Sequence, residues 1–255
     1  MTEFTYDTIL STLTGDGVRT IALNRPGSLN AMNRRLIDEA AAAFDDANAD
    51  PQTRAIVFTG EGRAFCAGDD RREHVHPETE AEARAHVDAI QAVTRAIVLG
   101  EKPVVGAING WAVGGGFEWA LNCDFPIWAE SAKAFFPEVS LNVFVTGAVT
   151  TILPAIVGPV KAREMLYLGE TYGAADLKAC GVAWKVVADA DLRVEAQATA
   201  ARLAALPPLS LRAMKRVLTQ ASGGAFARAL DLETEATVAC FLDPETTRRI
   251  TDFGT

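Results

Sequence analysis

Ile108-Asn-Gly-Trp-Ala-Val-Gly-Gly-Gly-Phe-Glu118 sets three consecutive glycines between an apolar run and a segment of helical character. An earlier stretch, Ala64-Phe-Cys-Ala-Gly-Asp-Asp70, is a second glycine-bearing turn after an apolar run. Backbone N–H groups at such a turn have no intrahelical acceptor. Two such turns facing each other would cradle a developing oxyanion. Glycine suits the position because no Cβ blocks the approach of a ligand. A helix opening at Gly115 would aim its partial positive end at the same point. Glu118 follows within about one helical turn, where a carboxylate reaches whatever group is held there. The pattern points to acyl chemistry without a serine or cysteine nucleophile.

Three glycines alone describe no more than a flexible turn, so the alternatives need to be met. Position 119 is Trp where a dinucleotide fingerprint would need its third spaced glycine, and no Gly-Lys-Ser/Thr follows as a P-loop would require. A GxSxG elbow is absent as well. The three histidines, His74, His76 and His86, fall in one polar stretch. His74-Val-His76 lacks spaced acidic or cysteine partners, so it reads as a solvated loop or pocket lip, and no metal site is expected. Glu138 is the more telling residue. It follows Phe135-Phe136-Pro137 and precedes Val139, and burying a lone charge in such surroundings is costly. Two carboxylates converging on one apolar pocket push their pKa values apart. One then holds a proton while the other acts as base, which suits the addition of water across a carbon–carbon double bond.

Composition sets the frame. The 255 residues suffice for one large domain, or for a core with an appended helical region. With 24 Lys and Arg against 33 Asp and Glu, the net charge of −9 opposes a nucleic-acid partner. It leaves room for a local cation that meets a phosphorylated ligand. Cys66, Cys123, Cys180 and Cys240 are scattered without a CxxC pair and read as reduced thiols. The start of the chain is polar with no signal-peptide pattern, and the longest apolar run, residues 139–157, is broken by Asn142, Thr146, Gly147 and Pro154. A cytoplasmic protein without a membrane contact is expected.

Along the chain, 8–14 and 18–23 read as a hairpin about Gly15-Asp16-Gly17. Asn33 caps a helix to about Phe44 with Leu36, Ile37, Ala40 and Phe44 inward. Residues 55–59 and 103–108 read as strands, 115–122 as a helix and 125–129 as a strand. The charged stretch 71–82 reads as an exposed loop, followed by a helix with Val87, Ile90, Val93, Ile97 and Val98 on one stripe. This alternation favours a sheet with crossover helices, an α/β fold. From about Gly158 the pattern turns to helices at 161–168, 174–179, 192–206, 209–221 and 226–241, with a strand at 184–187. The expected division is an α/β core over 1–190 and a helical region over 191–255 suited to oligomerisation.

The chain resembles the crotonase family, the enoyl-CoA hydratase/isomerase superfamily. The resemblance runs through Arg25-Pro26, Leu29-Asn30-Ala31, Gly62-Arg-Ala-Phe-Cys-Ala-Gly-Asp-Asp70, Lys102-Pro-Val-Val-Gly-Ala-Ile-Asn-Gly110, Ala112-Val-Gly-Gly-Gly-Phe-Glu118, Cys123-Asp124 and Phe136-Pro-Glu138. It implies a ββα spiral core with a helical trimerisation region, a homotrimer or dimer of trimers, and an acyl-CoA substrate, with coenzyme A entering as part of that substrate and no separate cofactor. It implies an oxyanion hole at the N–H groups of Asp69 and Gly115, and catalysis by Glu118 on water and Glu138 on the α-carbon. Arg25, Leu29, Ala31, Ala64, Ala67, Gly68, Asp70, Trp111, Gly114 and Pro137 fall where the family meets CoA or substrate, with Arg25 as the cation for a phosphate.

This chain departs from the family pattern in three places. Asp69 stands where a small or apolar residue is frequent. Leu141-Asn-Val-Phe-Val-Thr-Gly-Ala-Val-Thr150 replaces a stretch usually holding proline and paired glycines, so chain-length preference does not carry over. The sequence given stops two residues after Phe253, before a lysine-bearing tail often near CoA, so one phosphate contact is expected to be missing. The expected activity is hydration of a 2-enoyl-CoA to a 3-hydroxyacyl-CoA. The alternatives are another thioester reaction on the same fold (isomerisation, dehydration, hydrolysis or C–C cleavage) and a non-catalytic CoA- or RNA-binding relative. Trp111, Phe117, Trp119, Phe136 and Phe144 are the aromatics available to shape an aromatic-accepting pocket, although aromatics near a core are usually core residues.

Overall fold

The hairpin at the start of the chain founds the larger of two sheets. A computed structural model describes residues 6–221 and 224–253. Residues 1–5, which hold most of the polar start of the chain, lie outside the described residues. With strands numbered in chain order, the six-stranded sheet runs β1 (Ile9–Leu13), β2 (Val18–Leu23), β3 (Ala55–Gly60), β5 (Val104–Ile108), β7 (Phe125–Ala129) and β10 (Lys185–Val187). Only β1 and β2 are antiparallel; the other pairs are parallel. Every residue of β3 and β5 is buried, which is why they read as unbroken apolar runs instead of alternating ones.

A second, four-stranded sheet is made of β4 (Ala64–Cys66), β6 (Trp111–Val113), β8 (Lys133–Phe135) and β9 (Tyr172–Gly173). Its first three strands are parallel and only three residues long. Apart from a strand at residues 64–67 implied by the family resemblance, the sequence reading had no strands here, because three residues carry no measurable period. They nevertheless decide the site, since each delivers a turn at its carboxyl end.

The helices are α1 (Arg34–Ala49), α2 (Glu80–Val98), α3 (Gly115–Asn122), α4 (Val149–Val157), α5 (Pro159–Leu168), α6 (Ala174–Ala179), α7 (Leu192–Ala204), α8 (Pro208–Gln220), α9 (Ala225–Phe241) and α10 (Pro244–Asp252). Asn33 caps α1, its Oδ1 accepting from the Leu36 N–H at 3.0 Å. Leu36, Ile37, Ala40 and Phe44 are buried on its inner face. α2 starts at Glu80, inside the stretch read as loop. Thr79 Oγ1 accepts from the Glu82 N–H at 3.2 Å, and Glu80 and Glu82 sit at the positive end of the helix dipole. The acidic density marks a helix start there.

Two further helices were not anticipated. α4 lies within the apolar run and contains Pro154; α10 follows a cap by Asp243, whose side chain accepts from the Glu245 N–H. α7 packs on β2, β3, β5 and β7, with Leu192, Ala196, Ala200 and Ala204 in the main core. Phe58 anchors that core edge-on to Phe44 and Phe65, with ring centroids 5.0 and 5.1 Å apart. Among the described residues no helix is long and apolar enough to cross a membrane.

Candidate active site

The parallel order β4-β6-β8 brings three sequence-distant turns side by side at the carboxyl ends of their strands. After β4 come Ala67, Gly68 and Asp69, after β6 come Gly114 and Gly115, and after β8 come Pro137 and Glu138. All eight site residues of these turns and the adjoining helix (those seven and Glu118) line one cavity of about 110 Å³.

A parallel bridge joins Met32 to Asp69 through the Gly68 carbonyl and the Asp70 N–H. The Asp69 N–H is not engaged in that bridge. Gly115 is the first residue of α3, and Gly114 before it carries no capping side chain. Neither the Asp69 nor the Gly115 N–H donates to an acceptor among the described residues. The two turns are close: a Cβ on Gly68 would lie 3.9 Å from the Gly115 nitrogen. Two unpartnered donors therefore face one cavity.

Gly114 has φ +52° and ψ −123°, a conformation that requires glycine. A Cβ there would also collide with Glu138 Oε1. The second carboxylate thus rests on the glycine turn. Glu138 opens a short 3-10 turn, Glu138–Leu141, and its Oε2 is buried with no hydrogen-bond partner among the described residues. Burial, and then the charge of Glu118, hold its carboxyl well above the usual carboxylate range.

Glu118 is equally buried but differently served. The Thr146 N–H donates to Oε1 at 2.8 Å, and the Thr146 hydroxyl donates to Oε2. Burial pushes Glu118 up to about 7, with both Thr146 bonds working in the opposite direction. The asymmetry assigns the proton: bonds that favour the charged form sit on Glu118, while Glu138 has an orphaned oxygen best accommodated as a carboxylic acid. The only thiol close to these turns, Cys66, is pushed by burial up to about 12 and is no nucleophile.

Thr146 is held by residues that the sequence reading missed. The Gly147 N–H donates to Gln91 Oε1 at 3.2 Å and the Gly147 carbonyl accepts from Asn122 Nδ2 at 2.8 Å. Gly147 itself has φ +70° and packs against the Glu118 side chain. Next along the chain, Glu233 of α9 accepts from the N–H groups of Ala148 and Thr150 at 2.7 and 2.8 Å and from the Thr150 hydroxyl at 2.6 Å. It caps α4 from a distant helix. The signal was present: helical spacing puts Gln91 on the buried stripe of α2 and Glu233 on that of α9.

The remaining expected residues divide. Residues 25–31 do pack against 64–70: the Ala67 N–H donates to the Leu29 carbonyl at 3.1 Å, and Asn30 Nδ2 to the Ala64 carbonyl at 2.8 Å. Ala31 and Ala64 are buried within this contact. Arg25, expected as a cation for phosphate, donates from Nη1 to Asp70 at 2.8 Å and to the Ala31 carbonyl at 2.5 Å, and from Nη2 to Glu73 at 3.2 Å. Its charge and that of Asp70 are spent largely on each other. Trp111 is 37 % exposed and faces Lys133 and Phe135, away from the cavity lining.

Most of the aromatics follow the core reading. Phe117, Trp119 and Phe136 are core residues, Phe117 stacking on Phe136 with centroids 4.6 Å apart. Only Phe144 of that set reaches the cavity, joined by Leu141, Val143 and Phe241. His86, beyond the stretch read as loop, stands on α2 and packs edge-on to Phe241.

The chain matches the enoyl-CoA hydratase/isomerase family over residues 14–252. It is 34 % identical to a crotonyl-CoA hydratase of Syntrophomonas wolfei over 232 residues, covering 91 % of this chain and 89 % of that protein. The crystal structure of an enoyl-CoA hydratase/isomerase from Mycobacterium paratuberculosis superposes with a TM-score of 0.90 at 29 % identity, covering 98 % of this chain and all of that one. An enoyl-CoA hydratase from Mycobacterium avium subsp. paratuberculosis gives 0.88 at 26 % identity, over 98 % of this chain and 96 % of that one. With two glycine turns and a pair of buried glutamates at the ends of three short parallel strands, the chain belongs to the enoyl-CoA hydratase/isomerase family and is an enzyme of the crotonase fold.

Proposed function

We propose that the enzyme adds water to a 2-enoyl-CoA to form a 3-hydroxyacyl-CoA. The observation that carries this reading is the asymmetric pair, Glu118 hydrogen-bonded as a carboxylate and Glu138 buried as an acid, beside two unpartnered N–H donors. Glu118 takes a proton from water and the resulting hydroxyl bonds to C3. Electrons of the double bond move onto the thioester oxygen, which the Asp69 and Gly115 N–H groups receive. Glu138 then gives its proton to C2, and the thioester carbonyl re-forms. One water is added, and passage of the proton from Glu118 to Glu138 resets the site.

Coenzyme A enters with the substrate, and the chemistry assigned to the protein is acid–base and electrostatic. The apolar side chains of Leu141, Val143 and Phe144 line the space for the acyl group. We also infer that the enzyme assembles as a trimer or a dimer of trimers, through its exposed helical faces.

The test is incubation with short, long and aromatic 2-enoyl-CoA substrates, followed by mass spectrometry. A product heavier by one water is expected; an isomer of unchanged mass, or free CoA, would replace hydration by another reaction of the same oxyanion. Glu118→Gln and Glu138→Gln should each lower turnover by about a hundred- to ten-thousand-fold, with CoA-ester binding nearly retained. Wild-type rates in both variants would remove the assignment.

A further inference from the structure

Asp69 presents a problem that the reaction does not itself solve. Its N–H faces the cavity, yet its side chain carries a negative charge one residue's breadth from where an enolate oxygen would form. A carboxylate there opposes the charge that the hole exists to stabilise. The side chain is found turned onto α2, with Asp69 Oδ2 at 3.4 Å from His86 Nε2. The His86 ring stands edge-on to Phe241 of α9, with centroids 5.5 Å apart. A cavity of about 270 Å³ lies on this side, and Met32, Asp69 and Phe241 form the wall it shares with the reaction cavity.

We propose that His86 is a positioning residue for the reaction: its imidazolium draws the Asp69 carboxylate to α2 and cancels its charge beside the oxyanion-receiving N–H. The proposal rests on the enolate reading above. The neighbourhood supports it. Burial works against charge on His86, but the bond to Asp69 and its charge outweigh this and lift the imidazole above its usual range. Arg34 of α1 opposes that lift. From the loop after Asp69, His74 stands near, lowered by its own burial, and is tied with His76 to the Thr247 hydroxyl of α10 at 3.2 and 2.8 Å. Asp70 and Glu73 of that loop and Glu82 of α2 also line the cavity. Asp70 and Glu73 are both occupied with Arg25, so Asp69 is the carboxylate that His86 meets directly.

The experiment reads the oxyanion hole without the hydration step. Acetoacetyl-CoA bound in the site enolises to an extent set by the two N–H donors, and its enolate absorbs in the near ultraviolet. In His86→Gln, and in the independent His86→Leu, Asp69 keeps its charge without a partner. The bound enolate fraction at neutral pH should fall by about tenfold or more, with little change in ligand affinity. Adding Asp69→Asn to His86→Gln removes the offending charge and should recover most of that loss. The His86 titration midpoint, followed by NMR, should fall in Asp69→Asn. Equal enolate fractions in wild type and both His86 variants overturn the proposal, as does a double variant as impaired as His86→Gln. If the wild type binds the ester and forms no enolate, the oxyanion reading of the Proposed function fails, and this proposal with it.

Discussion

At the scale of single residues, two glutamates of the same chemistry are given different protonation preferences by what surrounds them. Thr146 supplies two donors to Glu118, and no described residue supplies a donor to Glu138 Oε2. The pH profile follows with a definite sign. Below about 7 Glu118 gains a proton, which in the proposed hydration removes the base, so kcat/KM should fall on the acid side near that pH. At the alkaline end activity should be lost as Glu138 gives up the proton that the proposed hydration has it deliver. The two limbs belong to the pair, since the groups interact. Thr146→Val removes a bond that favours the Glu118 carboxylate, so its pKa rises and the acid limb should move to higher pH. An unmoved limb, measured with a saturable 2-enoyl-CoA, would mean that Glu118 is not the base. The Arg25 guanidinium teaches the complementary lesson. The cation was visible in the sequence, but its partners Asp70 and Glu73 lie more than forty residues away and only the fold brings them to it.

At the scale of elements, the site depends on a helix start that is capped from elsewhere. α4 begins after Ala148, at φ +56° and without a capping oxygen of its own. Glu233 of α9 supplies the missing acceptor, and the same backbone continues into Gly147 and Thr146. Glu233→Ala should therefore lower unfolding stability by about 1–3 kcal/mol in chemical denaturation. It should also reduce kcat more than it raises KM, because the support of Glu118 loosens. A variant with full kcat would show that Thr146 holds its place without α9. Burial pushes Glu233 up to about 8 from 4.5, so the folded state binds the extra proton. Its contribution to stability is greatest below pH 4.5 and is lost as pH rises through about 8; Glu233→Gln should flatten that decline. Much of this level was legible beforehand. The hairpin, α1, β3, β5 and α3 announced themselves by period, cap and glycine turn. The strands β4, β6 and β8 did not, because three residues leave no pattern. α4 did not either, since Pro154 reads locally as a breaker. Thr146, Gln91 and Glu233 act through contacts across the fold, and spacing reveals only that the last two face inward.

At the scale of the whole molecule, α8 is oriented against the ordinary rule for a surface helix. Its one buried residue is a lysine, Lys215, whose Nζ donates to the carbonyls of Ile97 and Lys102 at 2.9 and 2.8 Å and meets Asp124 Oδ2 at 2.8 Å. That ion pair, buried on its lysine side, ties the helix to α2 and to the edge of β5 and β7. The apolar side chains lie away from it: Leu209 is 84 % exposed, Leu218 68 %, and Met214 and Val217 more than half. Val160, Tyr167 and Leu168 of α5 are similarly uncovered. Apolar faces of this kind on a folded chain mark contact surfaces, and a lysine-anchored helix holds its face rigidly outward. The expected outcome in sedimentation velocity is a trimer or hexamer at micromolar concentration. Met214→Glu with Leu218→Glu places two charges on the α8 face while leaving Lys215 and the reaction cavity untouched. That variant should dissociate to monomers with an unchanged far-ultraviolet circular dichroism spectrum. A wild-type monomer, or an assembly indifferent to both charges, would mean that α8 forms no seam between subunits.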